Sequence, residues 1–125
     1  MAKPAIYNIQ VTRGDTLTLS ALFQDDQEPA SPIDFTGCSI VMQVRQGPNY
    51  PVFAEFSSVG DNPKITFDNN DPTTGRIYIR DEAVNTAAYP WTQASYDIQV
   101  TYADGTVRTH LAGYVTVLED ITEND

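Results

Sequence analysis

The sequence predicts an all-β fold, an antiparallel β-sandwich, and three observations predict it. Apolar and polar residues alternate with period two along most of the chain, the spacing of strands buried on one face. Clusters of Gly, Pro, Asn and Asp break the alternation at intervals of roughly 8 to 12 residues, the spacing of sandwich turns. Only Asp81 to Ala88 reads as a helical turn. The 125 residues, 41% of them hydrophobic, suit a single domain whose core needs no covalent staples.

The elements follow in order. Tyr7, Ile9 and Val11 alternate with polar neighbours before Arg13-Gly14-Asp15 breaks the strand. Leu17, Leu19, Ala21 and Phe23 form the next apolar face. Residues 24–32 are an acidic loop whose two prolines cannot pair in a sheet centre. In Asp34-Phe35-Thr36-Gly37 the Asp side chain is placed to bond the amide two residues on. Ile40, Met42 and Val44 then share a face, and Gln46 to Pro51 is a loop. Val52, Ala54 and Phe56 continue the alternation, Gly60-Asp61-Asn62-Pro63 turns the chain, and Ile65 and Phe67 form a short strand. After the turn-dense Asn69 to Gly75, Ile77 and Ile79 point inward while Arg76, Tyr78 and Arg80 point outward.

Asp81 is positioned to cap the helical turn that Pro90 ends. From Ala94 to Tyr102 the alternation is unbroken. Asp104-Gly105 predicts a tight type I′ hairpin, and the return strand runs from Val107 to about Val117. Gly113 inside it marks a bulge or a close approach of another backbone. The result is an immunoglobulin-like sandwich of seven to eight strands with at most one short helical turn, a single domain over 1–125 with short terminal arms. Leu19, Ile40, Val44, Ile98, Val100 and Leu111 hold inward parity and are the expected core.

Composition narrows the function. Seven Lys+Arg stand against 17 Asp+Glu, a net charge of -10, which disfavours nucleic acid and anionic membranes, since both require a basic footprint. One cysteine, Cys38, and one histidine, His110, exclude an internal disulfide and paired-histidine zinc motifs. The N-terminus lacks the apolar run of a secretory signal. This reading expects no catalytic residues, no cofactor and no metal. His110 reads as a solvated or interface side chain, and Cys38 as a small hydrophobe. Most carboxylates sit in turns, where Asp is favoured for backbone reasons. Asp68 to Gly75 resembles a calcium loop but fails the EF-hand ligand spacing. Tyr89, Trp91 and Tyr96 read as core bulk, although Tyr89 and Trp91 exposed together with Tyr78 would make a sugar-stacking platform. Arg76, Tyr78 and Arg80 form the one clustered basic stripe, a composition found at protein interfaces.

Beyond these single features, a series of motifs keeps a recognisable order: Pro32-Ile33-Asp34-Phe35-Thr36-Gly37, Met42-Gln43-Val44-Arg45, Gly75-Arg76-Ile77, Thr86-Ala87-Ala88, Tyr96-Asp97-Ile98-Gln99-Val100, Asp104-Gly105-Thr106-Val107, Gly113 to Val117 and Asp120-Ile121-Thr122. In this series the chain resembles a family of small tailed-bacteriophage virion proteins, similar to the N-terminal domain of the upper baseplate protein of some lactococcal phages. Phe35 stands where that family has Leu. The resemblance implies a non-enzymatic structural protein, made in the bacterial host cytoplasm and located in the virion. It would dock onto other phage virion proteins, in many copies on a symmetric particle, at the tail, baseplate or fibre-attachment region. In the lactococcal-type protein a long region follows this domain, so the expectation here is a docking module without that arm. A capsid-exterior decoration protein is the alternative placement; a module for host glycans is the alternative function, and a small hydrolase a remote third. The expected contact residues are Lys3, Pro4, Ile6 and Tyr7, pairing with a neighbour's sheet edge, then Arg76, Tyr78 and Arg80, and Asp120, Ile121 and Thr122 in the acidic tail.

Overall fold

Two sheets pack face to face in the computed structural model, which describes residues 5–119. The described residues form nine strands: β1 (Ala5–Ile6), β2 (Ile9–Thr12), β3 (Leu17–Leu22), β4 (Ser39–Arg45), β5 (Val52–Ser57), β6 (Ile65–Phe67), β7 (Arg76–Asp81), β8 (Gln93–Thr101) and β9 (Val107–Leu118). The six-stranded sheet runs β1-β9-β8-β4-β5, with β2 also on β9, and the three-stranded sheet runs β3-β7-β6. Chain connections alternate between the sheets in the immunoglobulin-like manner. β1 and β2 flank a break at Tyr7 and Asn8 and act as one interrupted strand, so the nine segments make eight strands, the upper end of the seven to eight expected.

That interrupted strand is the one departure from antiparallel pairing. It lies parallel to β9, with Ile6 opposite Ala112 and Val11 opposite Val117. The break is held by three bonds: Tyr7 N–H donates to Ala112 O at 2.9 Å, the Tyr96 hydroxyl donates to Tyr7 O at 2.5 Å, and Tyr114 N–H donates to Asn8 Oδ1 at 3.0 Å. Burial pushes the Tyr96 hydroxyl up to about 12, so it remains a donor. Gly113 is what permits the approach. A Cβ there would sit 2.2 Å from the Tyr7 carbonyl oxygen, far inside contact distance. Gly113→Ala is therefore expected to push the N-terminal strand off β9 and to cost about 1–3 kcal/mol, as overpacking does. Thermal melts and amide exchange at Tyr7, whose N–H donates to Ala112 O, check this; an unchanged melt with that amide protected would contradict it.

The core matches the alternation with one exception. Ile40, Val44, Ile98, Val100 and Leu111 are buried, whereas Leu19 is only half-buried, packed against the core's margin. β3 is an edge strand of the small sheet, so one side of Leu19 lacks a neighbour. Two slips in register were not anticipated. One lies between β4 and β5 at Val44/Arg45. Past it Val52 is exposed, and Phe53 is tucked against Trp91 with ring centroids 5.6 Å apart. The other lies between β8 and β9, where Ile98 faces Leu111 and Gln99 faces Thr109, leaving His110 as the extra residue of a bulge.

Two turn assignments need correction. Gly105 has φ +90° and is the one positive-φ residue of its hairpin, whereas a type I′ turn requires two. Gly105 N–H donates to Tyr102 O and Tyr102 N–H to Thr106 O, so the loop is a three-residue turn closed by a left-handed glycine. Asp81 does not cap the helical turn α1 (Ala83–Thr86); Glu82 occupies that place, without a side-chain bond. Asp81 ends β7, 2% exposed, and accepts hydrogen bonds from Tyr89 Oη at 2.5 Å and Asn85 Nδ2 at 2.7 Å, with Lys64 Nζ at 2.9 Å. The turn-dense segment forms two 3₁₀ turns, Asp68–Asn70 and Pro72–Thr74.

Candidate docking surfaces

The expected contact residues do not converge. Arg76, Tyr78 and Arg80 share the outer face of the three-stranded sheet, because β7 alternates and Ile77 and Ile79 take the inner side. Each of the three is tied to a neighbour. Arg76 Nη1 donates to Ser20 Oγ at 2.7 Å, Tyr78 Oη to Asp68 Oδ1 at 3.2 Å, and Arg80 Nε pairs with Glu82 at 3.1 Å. The positive stripe is thus partly neutralised in place.

Ile6 and Tyr7 lie on the other sheet, at its N-terminal edge. β1 uses one side of its backbone to pair with β9 and leaves the other side unpaired among the described residues. The expected strand addition is met first within the chain itself. The side chains remain outside: Ile6 is 73% and Tyr7 52% exposed. Tyr7 and Tyr114 flank a hollow of about 430 Å³ that Ile9 and the polar residues Asn8, Gln10, Gln93 and Thr116 also line. Lys3, Pro4, Asp120, Ile121 and Thr122 lie outside the described residues.

Sequence reasoning missed the broad outer face of the six-stranded sheet. Cross-strand pairing puts Ser39, Val41, Gln43 and Arg45 of β4 on one side with Ser95, Asp97, Gln99 and Thr101 of β8. Ala112, Tyr114 and Thr116 of β9 extend it, as does Glu55 of β5. Three of its polar side chains are already linked: Gln43 Nε2 donates to Glu55 at 2.7 Å, and Arg45 Nη2 donates to Gln43 Oε1 at 2.9 Å. Asp97 stands at the centre. Burial raises its carboxyl above the usual range, and the Arg45 charge lowers it only in part. A shallow hollow of about 320 Å³ opens beside it, between Asp97, Gln99 and the Pro48-Asn49 loop. The signal lay in the polar parity of these strands, which holds unusually few charges for so acidic a chain.

The remaining candidates resolve one by one. Tyr89 and Trp91 are 6% and 4% exposed, stacked with centroids 4.3 Å apart, so the platform they would form with Tyr78 does not exist. Arg13 holds this corner, donating to the carbonyls of Tyr89 and Trp91 and pairing with Glu119 at 3.1 Å. His110 is not solvated. It is half-buried against Phe23, and its Nε2 lies 2.7 Å from Tyr102 Oη. Cys38 is half-buried, with its thiol pushed up chiefly by burial. Asp71 caps the second 3₁₀ turn through Thr73 N–H. Among the described residues no group of three or more His, Cys, Asp or Glu gathers at a metal-sized site, and no helix is long and apolar enough to cross a membrane.

The His110 environment carries a pH prediction. Burial, and secondarily the nearby Arg108 charge, depress its pKa below 6.5. The neutral ring is the form the fold accommodates, so its contribution is present above pH 6.5 and is lost as pH falls through the lower folded value. Melting temperatures should decline over that window in the native protein and decline less in His110→Gln. Equal slopes for the two would place the ring in solvent.

Comparison with known proteins adds no assignment: no protein-family model matches the chain, and no curated protein matches it.

Proposed function

We propose that this chain is a non-enzymatic structural protein of a bacteriophage virion, docking onto other virion proteins in the tail, baseplate or fibre-attachment region. The motif order from Pro32 to Val117 supports the class. The observation that carries the docking role is the N-terminal edge: a strand side with no partner among the described residues, beside two large exposed side chains, Ile6 and Tyr7. An exposed strand edge is a template for another chain's strand, and the adjoining side chains supply selectivity. The capsid-exterior placement uses the same contact chemistry and differs only in where the protein sits. The burial of Tyr89 and Trp91 weighs against the glycan-binding alternative.

The test is incorporation of full-length protein into particles, read from purified virions by imaging and by copy number. The double variant Ile6→Lys, Tyr7→Ser should keep its melting temperature, since both side chains are exposed, and its copy number should fall at least about tenfold. Normal incorporation would move the interface to Arg76, Tyr78 and Arg80. Absence of the native protein from purified particles would overturn the virion reading itself.

A further inference from the structure

Among the described residues, β3 is the longest open strand edge that carries no charge. It pairs with β7 on one side and with no strand on the other. Its six residues include no charged side chain and no proline, the features that ordinarily guard an edge. Two bonds show which backbone groups face the open side. Phe23 N–H donates to Gly75 O at 2.8 Å, and Arg80 N–H donates to Lys64 O at 3.0 Å. In an antiparallel ladder the backbone groups of successive residues turn to opposite sides. Leu17, Leu19 and Ala21 therefore turn to β7, while Thr18, Ser20 and Leu22 each turn an N–H and a C=O outward. No described residue bonds to those groups.

The side chains say what would fit there. On the inner row Leu19 and Ala21 are half-buried, whereas Ile79 and Ile77 opposite them on β7 are fully buried. Apolar side chains on an added strand would close that margin. On the outer row the strand positions of β3, β7 and β6 hold two arginines, Arg76 and Arg80, and no carboxylate. Arg80 is answered by Glu82. Arg76 pairs with no described carboxylate, and its Nη1 reaches over β3 to Ser20 Oγ at 2.7 Å. That places the guanidinium within about one strand spacing, about 4.8 Å, of a side chain added opposite Ser20. Asp25 and Asp26 follow the Leu22 end of the strand, which confines an acidic position to its middle. The other six-residue edge, β5, carries Glu55, a like charge to such an occupant.

We propose that the open edge of β3 takes up an extended segment of another protein, apolar on its inner face and acidic at the outward position opposite Ser20. Main-chain bonds to Thr18, Ser20 and Leu22 supply the attachment, and Leu19, Ala21 and Arg76 supply the selectivity. The inference does not rest on the virion reading and concerns a different edge from that of Ile6 and Tyr7.

Amide resonances of the full chain test it, with a capped peptide in which valine alternates with threonine, a central glutamate and threonine. A second peptide carries lysine in place of the glutamate. At about 150 mM salt, where charges beyond about 8 Å are screened, the glutamate peptide should shift the amides of Thr18, Ser20 and Leu22. Its Kd should be at least about threefold below that of the lysine peptide, the worth of one cross-strand charge pair. The chain's net charge of -10 favours the lysine peptide elsewhere, so this preference belongs to the edge. Ser20→Pro removes the central outward N–H and spares the bonds to β7, and should weaken binding at least about tenfold. Arg76→Gln leaves β3 intact and should bring the two peptides within about twofold of each other. It decides the matter if the proline variant does not fold. Three results overturn the proposal: shifts that fall on β5 or β1 or nowhere, a lysine peptide that binds β3 as well as the glutamate one, or a preference that survives Arg76→Gln. So does protection of the Thr18, Ser20 and Leu22 amides from exchange without peptide: in dilute protein it assigns the edge to the chain itself, and in concentrated protein alone to a second copy.

Discussion

Replacing Ile98 by Ala is expected to destabilise the domain by about 2–5 kcal/mol, the cost of lost apolar transfer plus an unfilled cavity. Ile98 is 0% exposed, at the centre of the six-stranded sheet, between Met42 on β4 and Leu111 on β9. Both neighbours are inward-facing, and β8 is paired on both sides, so the backbone has little freedom to collapse into the space. Urea unfolding at neutral pH measures the loss. A change under about 0.5 kcal/mol is what surface substitutions give, and it would mean that β8 is out of register by one residue.

Replacing Asp81 by Ala is the second large effect, about 2–4 kcal/mol. It leaves the buried Tyr89 hydroxyl without its acceptor, and strands Lys64 and Asn85 as well. Lys64 is partly exposed and turns to water, which keeps the cost below that of a fully buried ion pair. Asp81→Asn retains an acceptor for Tyr89 and should cost less than Ala. Burial by itself would raise the Asp81 carboxyl; the hydrogen bonds from Tyr89, Lys64 and Asn85 outweigh it and hold the group below 3.8. Burial, and after it the same contact, raise the Tyr89 hydroxyl, so the proton stays on the phenol. A depressed folded pKa means the stabilisation is complete above about pH 4 and disappears as pH falls through the folded value. The difference between native protein and Asp81→Asn should therefore shrink from pH 7 to pH 3. A difference that is constant with pH would show that the carboxylate's charge contributes nothing there.

These two residues also mark the limits of what was legible in advance. Ile98 belongs to an alternation that any window of nine residues displays, because parity is a local property of a strand with one buried face. The same holds for Asp34, whose carboxylate accepts from Thr36 N–H two residues on. Asp81 was misassigned as a helix cap because its partners Lys64 and Tyr89 lie 17 and 8 residues away, and local chemistry near a helical turn favours the cap. His110 and Val52 failed for a related reason. A bulge inserts one residue into the pairing of two strands, and neither strand's own pattern records it.

The sequence by itself determined the all-β class, the positions of the strands from β2 onward to within a residue or two, most of the core, and the acidic character of the chain. Each of these follows from short-range periodicity, turn chemistry or a count of charges. Only the tertiary structure decided that the N-terminal strand runs parallel to β9 and that the backbone Gly113 admits is that of Tyr7. It also decided that the outward residues of β4, β8 and β9 assemble one broad surface of nearly zero charge. Those are facts about which strands become neighbours, and neighbours more than 80 residues apart in the chain are chosen by the packing of two whole sheets, a quantity no local pattern contains.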